Sequence, residues 1–159
     1  MNKYNLQTMK IEELIESSKA LVLDTGIYID YFKNKESSIK KCLREILFIE
    51  GSEVKLYANY ILKSEIYYIL CRYLGKQKAK NLLEEIEIFL IFEDTKTLYK
   101  LAGQIKCSHA ISLADCYSIA TGIIHDCPIL FLEEDELFRE RVKEINTKFK
   151  SEILVIKEE

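Results

Sequence analysis

Five short apolar runs, at 20–23, 54–58, 88–92, 129–132 and 153–156, recur along this chain of 159 residues. Between them, apolar residues return at helical intervals. Each run is four or five residues long, too short for a stable helix. The first (ALVL) and the fourth (ILFL) contain no polar position at all. A strand with water on one face alternates polar and apolar residues, whereas a strand buried on both faces reads as a continuous apolar run. Helices are expected at 8–18, 26–33, 37–49, from the second run to about 74, at 77–87, 96–106, 112–125 and 134–148. Gly51 and Gly75 are placed to close two of them. Strands alternating with helices imply βαβ units, hence an α/β fold with a mainly parallel sheet covered on both faces. No linker, repeat or low-complexity stretch divides the chain, so one domain is expected over 20–159. Residues 1–19 form an extension carrying a short polar amphipathic helix.

Composition bounds what such a domain can do. Apolar residues make up 48% and charged residues 31%, enough to bury a real core. The five glycines stand singly, and neither a GxGxxG nor a GxxxxGK[ST] pattern occurs, which excludes those two nucleotide cradles. No apolar stretch reaches membrane-spanning length, and the N-terminal residues have no signal-peptide run. The cysteines (Cys42, Cys71, Cys107, Cys116, Cys127) are odd in number and irregular in spacing. They read as core fillers of a reduced, soluble, cytoplasmic protein with no membrane partner. A net charge of −3 gives no global attraction to nucleic acid, but it hides a polarity. Residues 33–80 carry eleven Lys and Arg against five Glu, while residues 111–159 carry six against eleven acids.

In an open parallel sheet, ligands bind beyond the carboxyl ends of the strands. Four acids are placed for that position. Asp24 directly follows the first strand, where a helix N-cap is its ordinary alternative role. Glu65 has Ile61, Leu62, Tyr68 and Ile69 as its helical neighbours and so interrupts an apolar stripe. Lys63 diverges from it on the helix and cannot pair with it. Asp115 lies between Ile111 and Ile119 at i−4 and i+4, although Ser112 to Asp115 also matches an S-x-x-[DE] capping box. Ala114, Ser118, Ala120 and Gly122 let that helix approach the sheet closely. Asp135 follows the fourth strand inside the acidic run 133–136, where any of the acids would also favour a helix start. Carboxylates that converge without a basic partner repel one another, and a divalent cation relieves the repulsion. Oxygen ligands favour Mg²⁺ or Mn²⁺ over Zn²⁺, and such ions support phosphodiester cleavage.

Two other constellations point elsewhere. Cys107 with His109 and His125 with Cys127 have zinc-ligand chemistry, but the intervening helix of about 13 residues holds the pairs roughly 20 Å apart. The tyrosines at 57, 60, 67, 68 and 73 could stack bases, yet their place on an apolar helix favours core or dimer packing.

These residues also carry a resemblance. Leu21-Val22-Leu23-Asp24-Thr25 resembles the opening strand of PIN-domain nucleases. Asn59 to Tyr68, with Glu65 in the acid position, is similar to their second acidic motif. Ile111-Ser112-Leu113-Ala114-Asp115-Cys116-Tyr117-Ser118-Ile119-Ala120-Thr121 is similar to the third, and is the most specific match. Ile129 to Phe138 resembles the strand and T-x-D-x-x-F segment that supplies the fourth acid. Order and spacing agree over about residues 20–156, and the compact length is most like the VapC-type toxins of toxin–antitoxin modules.

The resemblance implies a three-layer α/β/α sandwich with about five strands and a Mg²⁺- or Mn²⁺-dependent endoribonuclease. It further implies a homodimer restrained by a cognate antitoxin. Asp24, Glu65, Asp115 and Asp135 become the catalytic acids, with Asp24, Asp115 and Asp135 holding the metal. Thr25, Ser112 and Glu133 support them, and Lys33, Lys35 and Lys40 are candidates for contact with RNA. The chain departs from the pattern at Gly26 and at Glu133, which stands where the fourth motif has a hydroxyl residue. Glu133 or Glu134 could therefore serve in place of Asp135. An RNA-processing nuclease without an antitoxin and an inactive PIN-fold binding module remain the alternative readings.

Overall fold

The computed structural model describes residues 11–33 and 35–157. Five strands, β1 (Ala20–Leu23), β2 (Lys55–Asn59), β3 (Leu90–Glu93), β4 (Ile129–Leu132) and β5 (Ile153–Ile156), form one sheet in the order β3-β2-β1-β4-β5. All four pairings are parallel. The first apolar run is thus the central strand, and its last three residues, Leu21, Val22 and Leu23, are fully buried.

Side chains leave successive strand positions toward opposite faces, and the core divides accordingly. Leu21, Leu23, Leu56, Ala58, Leu130, Leu132 and Leu154 point to one face. Val22, Ile129, Phe131 and Ile153 point to the other. The first face is covered by α1 (Ile11–Ser17), α2 (Thr25–Phe32), α3 (Ser38–Cys42), α4 (Tyr60–Leu74) and α5 (Lys76–Glu87). The second is covered by α6 (Thr95–Ser108), α7 (Leu113–Ile124) and α8 (Arg139–Phe149). This is the expected α/β/α sandwich on a parallel five-stranded sheet. Among the described residues no helix is long and apolar enough to cross a membrane.

The strand and helix positions follow the sequence pattern closely, with four informative differences. The helix expected over 37–49 is α for one turn only. Leu43–Leu47 is π-helical, closed by the Phe48 N–H donating to the Leu43 carbonyl at 2.7 Å. The wider turn lets Leu43, Leu47 and Phe48 all enter the core. The third strand begins at Leu90, because Ile88 ends the preceding helix and is 79% exposed. The helix expected over 134–148 opens with a separate 3₁₀ turn, Asp135–Leu137, before α8. Finally, the tyrosines do not share one packing role. The buried stripe of α4 is Leu62, Ile66 and Leu70, which leaves Tyr60, Tyr68 and Tyr73 exposed. Tyr57 belongs to β2, where its ring stacks on His125 at 3.6 Å.

Of the N-terminal helix expected over 8–18, residues 8–10 lie outside the described residues. The remainder, α1, places Leu14 and Ile15 in the same core as α2 to α5. Helices α4 and α5 are joined by Gly75 alone, at a φ of 85° that side-chain-bearing residues rarely adopt.

Helix α7 lies close to the sheet because of its small residues. Ser118, Ala120 and Thr121 are fully buried. A methyl group at Gly122 would overlap Ile129 Cγ1 and Cδ1 and would stand 3.1 Å from the Cys127 carbonyl. Asn59 ties this helix to α4: its Oδ1 accepts the Leu62 N–H at 2.9 Å, and its Nδ2 donates to Thr121 Oγ1 at 3.1 Å. Both helices are thereby fixed at the carboxyl end of β2. Gly122→Ala should destabilise the fold by about 1–3 kcal/mol, since the overlap outweighs the gain of about 1 kcal/mol in helix propensity. Chemical denaturation measures this directly.

Candidate metal centre

Strand β1 pairs with β2 on one side and β4 on the other. The connections from β1 lead outward in one direction to β2 and β3, and the chain then returns to the other side of β1 as β4. A crevice opens beyond the carboxyl ends of β1 and β4, as at any topological switch point. Asp24 and Glu134 both follow the strands that flank it.

Asp24 remains in the sheet by its backbone, its N–H donating to the Leu130 carbonyl at 2.9 Å. It is also the N-cap of α2, with Oδ2 accepting the Gly26 N–H at 3.4 Å. The capping role and a place in the crevice therefore coexist. The Ser118 hydroxyl donates to its other oxygen, Oδ1, at 3.5 Å. Asp115 sits in the first turn of α7, whose N-cap Ser112 accepts the Asp115 N–H on Oγ at 3.1 Å. Only the Ser112 half of the expected capping box is made in this way. Asp24, Asp115 and Glu134 each offer a carboxylate oxygen, and the three oxygens lie within 4.8 Å of one another.

The other expected residues fall around this cluster. Glu65 is half-buried at the margin of the α4 stripe, close enough for its charge to act on Asp24. Lys63 pairs instead with Glu87 at 2.6 Å. Asp135 is exposed at the head of the 3₁₀ turn, and Glu134, its neighbour, is the acid of the run that turns inward. Glu133 is exposed, 3.9 Å from Lys157. Thr25 is buried and its Oγ1 has no hydrogen-bond partner. Lys33 and Lys35 are exposed beyond the end of α2, and Lys40 Nζ donates to the Lys33 carbonyl at 2.5 Å. That end of α2 is about 12 Å from Asp24 along the helix. His125 Nε2 stands 2.9 Å from Glu93, and His109 packs against Phe149.

The sequence pattern marks Ser118 only as a small residue of α7, and Glu134 only as one alternative to Asp135. Ser118 is three residues beyond Asp115 and shares its helix face, a signal that spacing alone provides. Glu134 is one of four consecutive acids, and nothing in that run states which side chain turns in.

Burial and mutual repulsion dominate the electrostatics. Asp24 is 5% exposed, and its carboxyl is pushed up to about 7, first by burial and then by the charge of Asp115. Asp115 is raised by burial, against hydrogen bonds from Glu134 and Ser112 that pull it down. Glu134 is raised by burial and by the proton it shares with Asp115. Among the described residues, no Lys, Arg or His forms an ion pair with any of the three. Glu134 Oε1 is buried and makes no hydrogen bond to protein. Three oxygen donors with a spare, desolvated lone pair and no basic partner fit a hard divalent cation such as Mg²⁺ or Mn²⁺.

The comparisons agree with this architecture. A family model described as the PIN domain matches residues 21–144. Among solved structures, VapBC2 from Rickettsia felis bound to a DNA fragment from their promoter has a TM-score of 0.60 at 14% identity, over 88% of this chain and 99% of that one. FitAcB from Neisseria gonorrhoeae has a TM-score of 0.57 at 15% identity, over 84% and 96%. A toxin–antitoxin complex from Klebsiella pneumoniae has a TM-score of 0.54 at 14% identity, over 73% and 88%. At these identities the likeness is one of fold. No curated protein matches the chain.

The raised Asp24 carboxyl makes stability depend on pH. Its folded-state value of about 7 stands above the ordinary 3.8, so the folded protein holds a proton that the unfolded chain has released. The resulting stabilisation is full below about pH 4 and is lost as pH rises through about 7. Without divalent ions, Tm should fall between pH 5 and pH 8, and Asp24→Asn should flatten that fall. Added Mn²⁺ should raise Tm more at pH 8 than at pH 6, because protons and cation compete for the same oxygens. Scanning calorimetry across this range checks both effects.

Proposed function

The chain belongs to the PIN-domain family, and on that premise we propose that it is a metal-dependent endoribonuclease acting as the toxin of a type II toxin–antitoxin pair. The observation that carries the reading is the gathering of Asp24, Asp115 and Glu134 within 4.8 Å at the sheet's switch point. A toxin–antitoxin complex among the structures of this fold supports the biological role.

In this reading Asp24, Asp115 and Glu134 hold Mg²⁺ or Mn²⁺, with Glu134 taking the place expected for Asp135. The cation, when bound, supplies the positive charge that draws in a phosphate and steadies the departing oxygen. The protein's own groups do the rest. Glu65, half-buried beside Asp24, accepts the proton of the attacking water. The Ser118 hydroxyl orients the Asp24 carboxylate, and the Ser112 cap holds the turn that carries Asp115. Lys33, Lys35 and Lys40, beyond the far end of α2 from Asp24, attract the RNA backbone. The functional unit is a homodimer whose activity a small cognate antitoxin restrains.

Purified protein should cleave single-stranded RNA with Mn²⁺ or Mg²⁺ and not in the presence of a chelator. Asp24→Asn and Asp115→Asn should each lower the rate by on the order of 100-fold or more while circular dichroism stays unchanged. Cleavage at the wild-type rate by Asp24→Asn would overturn the mechanism. A single-stranded DNA arm tests the choice of RNA, and growth arrest on expression, relieved by a neighbouring small reading frame, tests the toxin role.

A further inference from the structure

We propose that Glu136 is a positioning residue, which completes the cap of α7 in place of Asp115 and thereby frees the Asp115 carboxylate for the acidic cluster. The inference rests on the reading of that cluster as a metal site.

A helix start leaves its first backbone N–H groups without intrahelical partners. In a capping box, the hydroxyl of the cap residue accepts one N–H, and the acid three residues on reaches back to accept the N–H of the cap residue. Here the first bond is present, from the Asp115 N–H to Ser112 Oγ at 3.1 Å. The second is made by a different acid: the Ser112 N–H donates to Glu136 Oε2 at 2.8 Å, from 24 residues further along the chain. Asp115 is thus relieved of the return bond, and its carboxylate lies with those of Asp24 and Glu134.

The exchange also links the two segments that carry these acids. Glu136 belongs to the same 3₁₀ turn that follows Glu134. Arg141 Nη1 donates to the Glu136 carbonyl at 2.8 Å and to the Ala110 carbonyl at 3.0 Å, with its guanidinium 4.6 Å from the centre of the Phe138 ring. Lys106 Nζ donates to the Ile111 carbonyl at 2.6 Å. Ala110, Ile111 and Ser112 are therefore each fastened by a side chain from another part of the fold. The spacing of Asp115 and Glu134 is set by this clasp, before any cation arrives. Without Glu136, the capping-box pattern leaves the Asp115 carboxylate, three residues on, as the acceptor for the Ser112 N–H.

Two measurements test the proposal. The first is Mn²⁺ affinity by calorimetry. Glu136→Ala should weaken binding by about 10–100-fold, the range seen when a group that orients a ligand is removed. Glu136→Gln, whose amide oxygen still accepts the Ser112 N–H, should stay within a few-fold of wild type. Equal loss in both variants, or no loss in Glu136→Ala, would overturn it. The second is a double-mutant cycle on metal-free Tm. Asp115→Ala should be distinctly more harmful, or less helpful, in the Glu136→Ala background than in wild type, because there Asp115 has become the cap. Additive Tm changes would also overturn the proposal. Wild-type protein that binds no Mn²⁺ would refute the metal reading, while the cycle still decides the exchange of caps.

Discussion

Strand β1 is hydrogen-bonded on both sides and packed on both faces, and most of the architecture follows from accommodating it. A four-residue segment with no polar side chain has to be covered above and below, so helices are required on each face of the sheet. It has to be paired on both edges, so the chain must build outward in one direction and come back in the other. The reversal parts the chain segments that leave β1 and β4 and opens a crevice between them. The first residue after β1 is an aspartate still bonded to Leu130. A hydrophobic requirement of the core thus determines where a charged group stands.

Acids in a desolvated crevice are tolerable only if something offsets their charge. Each of the three is associated with the start of a helical segment: Asp24 caps α2, Asp115 lies in the first turn of α7, and Glu134 precedes the 3₁₀ turn. The starts of α2 and α7 carry partial positive charge, worth a fraction of a kcal/mol to about 2 kcal/mol each. Protonation offsets more, as the upward displacement of all three carboxyls indicates. A cation would do so without using a proton. The small residues of α7 matter here, since Ser118 reaches Asp24 only because the helix lies against the sheet.

Much of the fold is legible in the residue pattern, because burial on two faces leaves an unmistakable apolar run and helix periodicity leaves a stripe. All five strands and the principal helices lie where those patterns place them. The differences arise where local geometry departs from the regular period. The π turn after α3 cannot be read from spacing, because an extra residue in a helix looks like ordinary apolar clustering until Leu43, Leu47 and Phe48 are seen to converge. Tyr60, Tyr68 and Tyr73 sit on an apolar helix but off its buried stripe, a distinction that requires knowing which face α5 covers. At the site, Asp24 and Asp115 stand out because strand ends and apolar helix faces are places where an acid needs a reason. The acidic run 133–136 gives no such contrast. Residues there differ in direction by their backbone path out of β4, so the inward turn of Glu134 and the bond from Ser112 to Glu136 emerge only in three dimensions.

The backbone bond between Asp24 and Leu130 has a mechanical consequence. Surface loops can melt locally while the rest of a protein stays intact, and sites built on them fail early on heating. Here Asp24 is held by the ladder between β1 and β4, and the chain cannot release it without parting those strands. Release of Asp24 from its place and global unfolding should therefore be one event, with no intermediate range of temperature in which the sheet survives and Asp24 has moved away.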